Sequence, residues 1–389
     1  MMRIAIRMFA HCVLFAMFVV TTVSVWGEAA TLPITAKVSQ LKAKAEKGFV
    51  EQQMELANAY FVGSGVPRDV ERAAHWFEKA AQAGHAEAQN QIGYFYEAGI
   101  GVPVNLERST HWYQLAAAAG SIQGEVNLGV AYLKGHGVAK DEGMAANCFT
   151  KAFHKGSGIA AAYLGDMYYF GAGKPVDRAQ AEEWYVAGSK LHDALAAYRL
   201  GSMYSVVDDH PHDSRKATEL LRASANGGYV AAMHSLGLLL VKEPKLAKSE
   251  HEAVDWLEEA AKSGNWRSSI VLGVLSREGN GTPVDYETAY LHFLVAARQG
   301  GPQAQSLVSN DLRNIGSRLG PYEVAKLESA TKEWLAQNNF SLQYVKKVGK
   351  NRDSFPSIAI AVTPPGEFAG QLVPLTSQPI CRSGLNCHS

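Results

Sequence analysis

The sequence predicts an all-α protein: an α/α solenoid of seven 36-residue helix-turn-helix repeats closed at both ends by helical caps. Three observations carry this prediction. Stepping by 36 from Gly48 meets Gly84, Gly120, Gly156, His192, Gly228, Gly264 and Gly300, with no insertion or deletion. Eight and nine places after each marker comes a large aliphatic residue and then a small one, from Leu56-Ala57 and Ile92-Gly93 to Leu272-Gly273. Within each unit, large and small residues recur three and four apart, which is the period of a helix face. A length of 389 residues would suggest two or three globular domains, but a repeat array grows its core along one axis and escapes that rule.

The elements follow in order. Residues 1–29 read as a secretory signal peptide, with Arg3 and Arg7 ahead of an apolar run and small residues at Gly27 and Ala29. The apolar run approaches the length of a membrane span, so an anchor in the inner membrane is the alternative. On either reading the remainder faces the periplasm or is secreted. Residues 35–47 read as a capping helix, residues 48–300 as the seven repeats, and residues 301–340 as closing helices. The tail, 341–389, is proline-punctuated by Pro356, Pro364, Pro365, Pro374 and Pro379 and reads as flexible. Cys381 and Cys387 lie close together in it, and an oxidising compartment would let them form a disulfide.

Each unit reads as two helices. The first ends near a tyrosine: Tyr60, Tyr96, Tyr132, Tyr168 and Tyr204, with Leu240 and Ser276 breaking the series. A Gly-x-Gly turn follows in five units, for example Gly99-Ile100-Gly101, because a helix C-cap and tight turn require positive φ. Asp69, Asn105, Asp141, Asp177, Asp213 and Asp285 then stand where an N-cap of the second helix belongs. That helix carries a stripe such as Ser109, Trp112 and Ala116. Small residues in the first helix admit the second, and tryptophan and tyrosine are expected to fill the wedge between units. The fifth and sixth units lack Gly-x-Gly, which predicts either a softer joint or a partner contact there.

The pattern resembles the Sel-one-like repeat, a relative of the tetratricopeptide repeat. The second unit shows it nearly complete, from Ala88 through Ile92-Gly93, Tyr96, Gly99-Ile100-Gly101, Trp112 and Ala116 to Gly120. The resemblance implies a solenoid and an adaptor or scaffold role, often in the bacterial envelope. It also brings in exported, cysteine-rich members with penicillin-binding or weak β-lactamase-like behaviour. Those carry a cysteine pair in each repeat, whereas this chain has Cys148 alone among its repeats, which argues against such a hydrolase.

Charge and motif patterns narrow the function further. Lys+Arg and Asp+Glu are both 37, and without a basic stripe nucleic acid is excluded as a partner. Gly-x-Gly follows a helix rather than a strand, so it is no phosphate loop. Asp208-Asp209-His210-Pro211-His212-Asp213 holds metal-ligating types, yet a solvated loop ending in a helix cap accounts for it; no metal or other cofactor is assigned. His75 and His111 stand about 10 Å apart if neighbouring repeats are a helix diameter apart, too far to share an ion. The chain therefore reads as a non-enzyme that binds a protein or peptide on its concave face, with envelope glycan or peptidoglycan binding as the alternative. Positions seven and ten places after each marker are expected to line that face, free of packing duties. They are Glu55, Asn58, Gln91, Tyr94, Asn127, Val130, Tyr163, Asp166, Arg199, Ser202, Leu238 and Val274, polar toward the N-terminus and more apolar toward the C-terminus.

Overall fold

A computed structural model describes residues 34–205, 213–280 and 283–337, and all its α-helices lie in one antiparallel, paired series. The signal segment, the cluster from Asp208 to His212 and the tail with Cys381 and Cys387 lie outside the described residues. The cap α1 (Ile34–Glu46) precedes seven pairs. These are α2 (Val50–Val62) with α3 (Val70–Gln82), and α4 (Ala86–Ala98) with α5 (Leu106–Ala118). Next come α6 (Ile122–Lys134) with α7 (Glu142–His154), and α8 (Gly158–Phe170) with α9 (Arg178–Lys190). The last three are α10 (Ala194–Ser205) with α11 (Ser214–Asn226), α12 (Val230–Lys242) with α13 (Glu252–Lys262), and α14 (Trp266–Glu278) with α15 (Tyr286–Gln299). Two longer helices, α16 (Gly301–Leu319) and α17 (Pro321–Gln337), close the array.

The turns explain the 36-residue period. The marker glycine takes φ near +90° from Gly48 to Gly264, as at Gly84 (+87°) and Gly156 (+93°), and lets each unit hand over to the next, whereas the last marker, Gly300, stands at −93°. In the fifth unit His192 adopts the same left-handed conformation at φ +59°, which histidine tolerates better than most residues. Within each unit, the cap residue closes the turn twice. Asn105 donates its backbone N–H to the Tyr96 carbonyl at 2.8 Å and accepts the Arg108 amide on its side chain at 2.9 Å. Asp213 does the same with Tyr204 at 3.1 Å and with Lys216 at 2.9 Å, although its unit has no Gly-x-Gly. The closure therefore rests on the cap, and the glycines adapt the loop to it. The sixth unit is rebuilt instead: a 3₁₀ turn over Pro244–Leu246 precedes a shortened α13.

Packing inside a unit depends on a contact that the tryptophan stripe does not announce. A Cβ added at Gly129 would lie 2.6 Å from Phe149 Cε1. The Phe149 ring sits on that glycine and stacks on Tyr163 at 4.9 Å between centroids, 11° from parallel. The same register position holds Phe77, Tyr113, Tyr185, Leu221, Leu257 and Phe293, all buried. The tryptophans one residue earlier serve the joint between units. Trp184 meets Phe153 of the preceding unit edge-on at 5.2 Å, and Trp112 is buried in the cluster shared by units one and two.

Consecutive first helices approach closely, α4 against α6, α8 against α10 and α10 against α12, whereas second helices of neighbouring repeats meet through long side chains, as Trp184 meets Phe153. One layer is thus compressed and the other splayed, which curves the array with the first helices inside. No helix among the described residues is long and apolar enough to cross a membrane.

Candidate functional site

The inner face is built by side chains from seven parallel-stacked first helices, most of them held by caps. Ser121, Ser157 and Asn265 accept a backbone amide at the start of α6, α8 and α14, and glycine C-caps in the left-handed region end α2, α4, α6, α8 and α14. A face on helices clamped in this way is rigid before any partner arrives.

The structure divides the twelve expected face residues in two. Glu55 is exposed, and Asn58, Tyr94, Leu238 and Val274 are half-buried. Gln91, Asn127, Val130, Tyr163, Asp166, Arg199 and Ser202 are buried, so the expectation that these positions are free of packing duties is corrected for them. The reason is the compression of the inner layer. Where first helices touch, residues seven and ten places after the marker become the contact between units. Asn127 donates to Asn90 across the α4–α6 contact at 2.8 Å.

The central units carry a charged version of the same contact. Arg199 on α10 donates from Nη2 to Asp166 Oδ2 on α8 at 3.0 Å, with Nε 2.9 Å from Oδ1. Tyr185 on α9 donates to the same Oδ1 at 2.7 Å. Burial pushes the Asp166 carboxyl up, while Arg199 and Tyr185 pull it back by stabilising the anion. Burial alone would lower Arg199, but the neighbouring carboxylate outweighs it and holds the guanidinium charged. Breaking such a pair leaves an uncompensated buried charge, so its geometry is locked. The Tyr163 hydroxyl lies beside it, buried and without a hydrogen-bond partner, and its desolvation keeps the phenol protonated.

The accessible positions therefore fall at the two ends of the face. Glu55, Asn58 and Tyr94 present polar and aromatic groups at one end, and Leu238 and Val274 present aliphatic groups at the other. His234 lies next to the apolar end, its Nδ1 2.8 Å from Ser268 Oγ, and burial lowers its pKa to about 4. It is uncharged at neutral pH. Cys148 is buried and free. Among the described residues, no group of three or more His, Cys, Asp or Glu side chains is placed to hold a metal ion.

The Sel1 repeat family model matches seven consecutive segments: residues 53–85, 86–121, 122–157, 158–193, 194–229, 230–265 and 269–301. The chain belongs to the Sel1 repeat family. The Sel1 register agrees with the helix pairs above, including the fifth and sixth repeats whose turns depart from the pattern. Among solved structures, the chain is similar to c5321, a protective antigen present in uropathogenic Escherichia coli strains that displays an SLR fold. The two share 30% identity at a TM-score of 0.50, over 83% of this chain and 68% of that one. A Sel1 repeat protein from Oxalobacter formigenes is also 30% identical, with a TM-score of 0.49 over 55% of this chain and 88% of its own. No curated protein matches. Sel1 repeats generally mediate protein–protein interaction.

Sequence reasoning missed the Asp166–Arg199–Tyr185 network and the aromatic position behind each glycine. A signal for the first was present, since Asp166 and Arg199 are 33 residues apart. That is close to one repeat, so charges of opposite sign fall on adjoining first helices.

Proposed function

We propose that this Sel1 repeat protein is an exported, non-enzymatic adaptor of the cell envelope that holds a protein or peptide partner along its inner face. The observation that carries the proposal is the division of that face. A locked polar centre separates two accessible ends of different chemistry, which would bind an extended or helical segment by an aromatic and polar contact at one end and an aliphatic contact at the other. A rigid platform of this kind loses little conformational entropy on binding. The export half of the reading is supported by the charged and apolar layout of residues 1–29. It is supported also by the similar uropathogenic E. coli protein, whose role as a protective antigen concerns that protein.

The test uses substitutions at the two accessible ends. Tyr94→Glu and Leu238→Lys should each weaken a partner isolated from envelope extract by about tenfold or more, the equivalent of about 1.4 kcal/mol. His75→Glu and Asp255→Lys, exposed on the second helices, should leave affinity unchanged. Circular dichroism checks that all four variants fold. Equal binding by all four would move the site off the inner face. Retention of peptidoglycan fragments but of no protein would favour the glycan alternative.

A further inference from the structure

The seventh repeat departs from the second at three register positions that meet in space. The tyrosine position near the end of the first helix holds Ser276. The position of Arg72, Arg108 and Lys216 holds Thr288, and that of Trp76, Trp112 and Trp256 holds His292. All three replacements are smaller or shorter than the residues they stand for, and all three line one recess between α13, α14 and α15.

In the second repeat this place is full. The Arg108 guanidinium lies over the Tyr96 ring at 4.1 Å from its centroid and donates to Glu78 of the preceding unit at 2.5 Å. Tyr96 donates to the same carboxylate at 3.3 Å. The fifth-to-sixth joint keeps the bridge with its charges reversed: Arg222 donates to Glu252 at 2.7 Å. The spacing is 30 residues in both joints, so the same register pair bridges neighbouring units wherever it carries opposite charges.

At the sixth-to-seventh joint the anion remains and the cation is gone. Glu258 occupies the Glu78 position and lines the recess, facing Thr288. Its nearest cation is Lys262 on its own helix, at 3.5 Å and half-exposed. Asp285 adds a second carboxylate, held ionised by hydrogen bonds from Thr288. His292 adds no opposing charge at neutral pH, because burial lowers it to about 4. Leu272 and Leu275 form an apolar floor. The recess is therefore anionic at its rim, apolar at its base, and lacks the planar and cationic groups, Tyr96 and Arg108, that fill its counterpart in the second repeat.

We propose that the recess receives an arginine side chain of a partner polypeptide, as a contact separate from the inner face. One arginine supplies both missing parts. Its guanidinium would pair with Glu258 as Arg108 pairs with Glu78, and its stem and planar group would lie on Leu272 and Leu275. Lysine supplies the charge without the plane, and an aromatic residue supplies the plane without the charge.

The probe is the peptide acetyl-Ala-Arg-Ala-amide, titrated against the full chain and followed by saturation-transfer NMR on the peptide. Saturable binding is expected, with a Kd on the order of 1 mM, a scale suited to one buried side chain. The citrulline counterpart, which keeps the shape and loses the charge, should bind about tenfold more weakly or worse. Ser276→Tyr with Thr288→Arg refills the recess with residues the repeat uses elsewhere, so it should fold and lose the peptide; Glu258→Gln should lose it as well. Tyr94→Glu should leave it unchanged, which separates this contact from the inner face. Equal affinity for arginine and citrulline peptides would overturn the proposal. So would unchanged binding by the refilled chain or by Glu258→Gln, preference for a tyrosine peptide, or absence of saturation.

Discussion

His234 carries a consequence for stability that one side chain decides. It is mostly enclosed, hydrogen-bonded near Ser268, and its pKa in the fold is lowered to about 4, whereas an unfolded histidine titrates near 6.5. Between those values the unfolded chain binds more protons than the folded one, so stability falls as pH falls through that window and is fully present above it. The contribution between pH 7 and pH 5 is about 1–2 kcal/mol once partial exposure is allowed for. His292, lowered for the same reason, adds a second loss of the same sign. His234→Asn should therefore lose part of the wild type's decline in urea midpoint between pH 7 and pH 5. Parallel declines in the two proteins would show that His234 is not held neutral. The residue scale is also where sequence was least informative. Asp166 and Arg199 read as free surface charges because their burial depends on how closely α8 and α10 approach, a distance that no local pattern specifies.

Helices, turns and caps were the most legible level. The 36-residue register, the cap residues from Asp69 to Asp285 and the two closing helices all follow from side chains whose effects are local. Legibility ended where partners are distant in sequence. No local pattern marks the seat of Phe149, Tyr113, Tyr185 or Phe293, since the glycine that receives each ring is twenty positions earlier. The turn of the fifth repeat looked weakened without its glycines, yet Asp213 closes it as the other caps do. Trp112 tests the joint between elements. It is 8% exposed and packs in the cluster of the first two repeats, so Trp112→Ala should cost about 3–5 kcal/mol. Because each repeat contacts only its neighbours, hydrogen exchange should show the loss first in units one to three. An unchanged denaturation midpoint would show that the ring is not a wedge between repeats.

The whole molecule is a curved array whose inner layer is compressed by contact between first helices and whose outer layer is splayed. The sequence established that such an array must form, because no single unit can bury its own apolar stripe. It did not establish which inner positions the curvature would leave open. Seven of the twelve expected positions were consumed by the contact, and the five that remain, Glu55, Asn58, Tyr94, Leu238 and Val274, define the two ends of the proposed binding face. The central claim is that a second polypeptide lies along this face in the exported protein. Site-specific photo-crosslinking tests it most directly, with benzoylphenylalanine placed in turn at positions 94, 238, 75 and 255 and the cells irradiated intact. The account predicts an adduct with one and the same polypeptide from positions 94 and 238, and none from 75 or 255. Polypeptide adducts confined to positions 75 and 255 would contradict it.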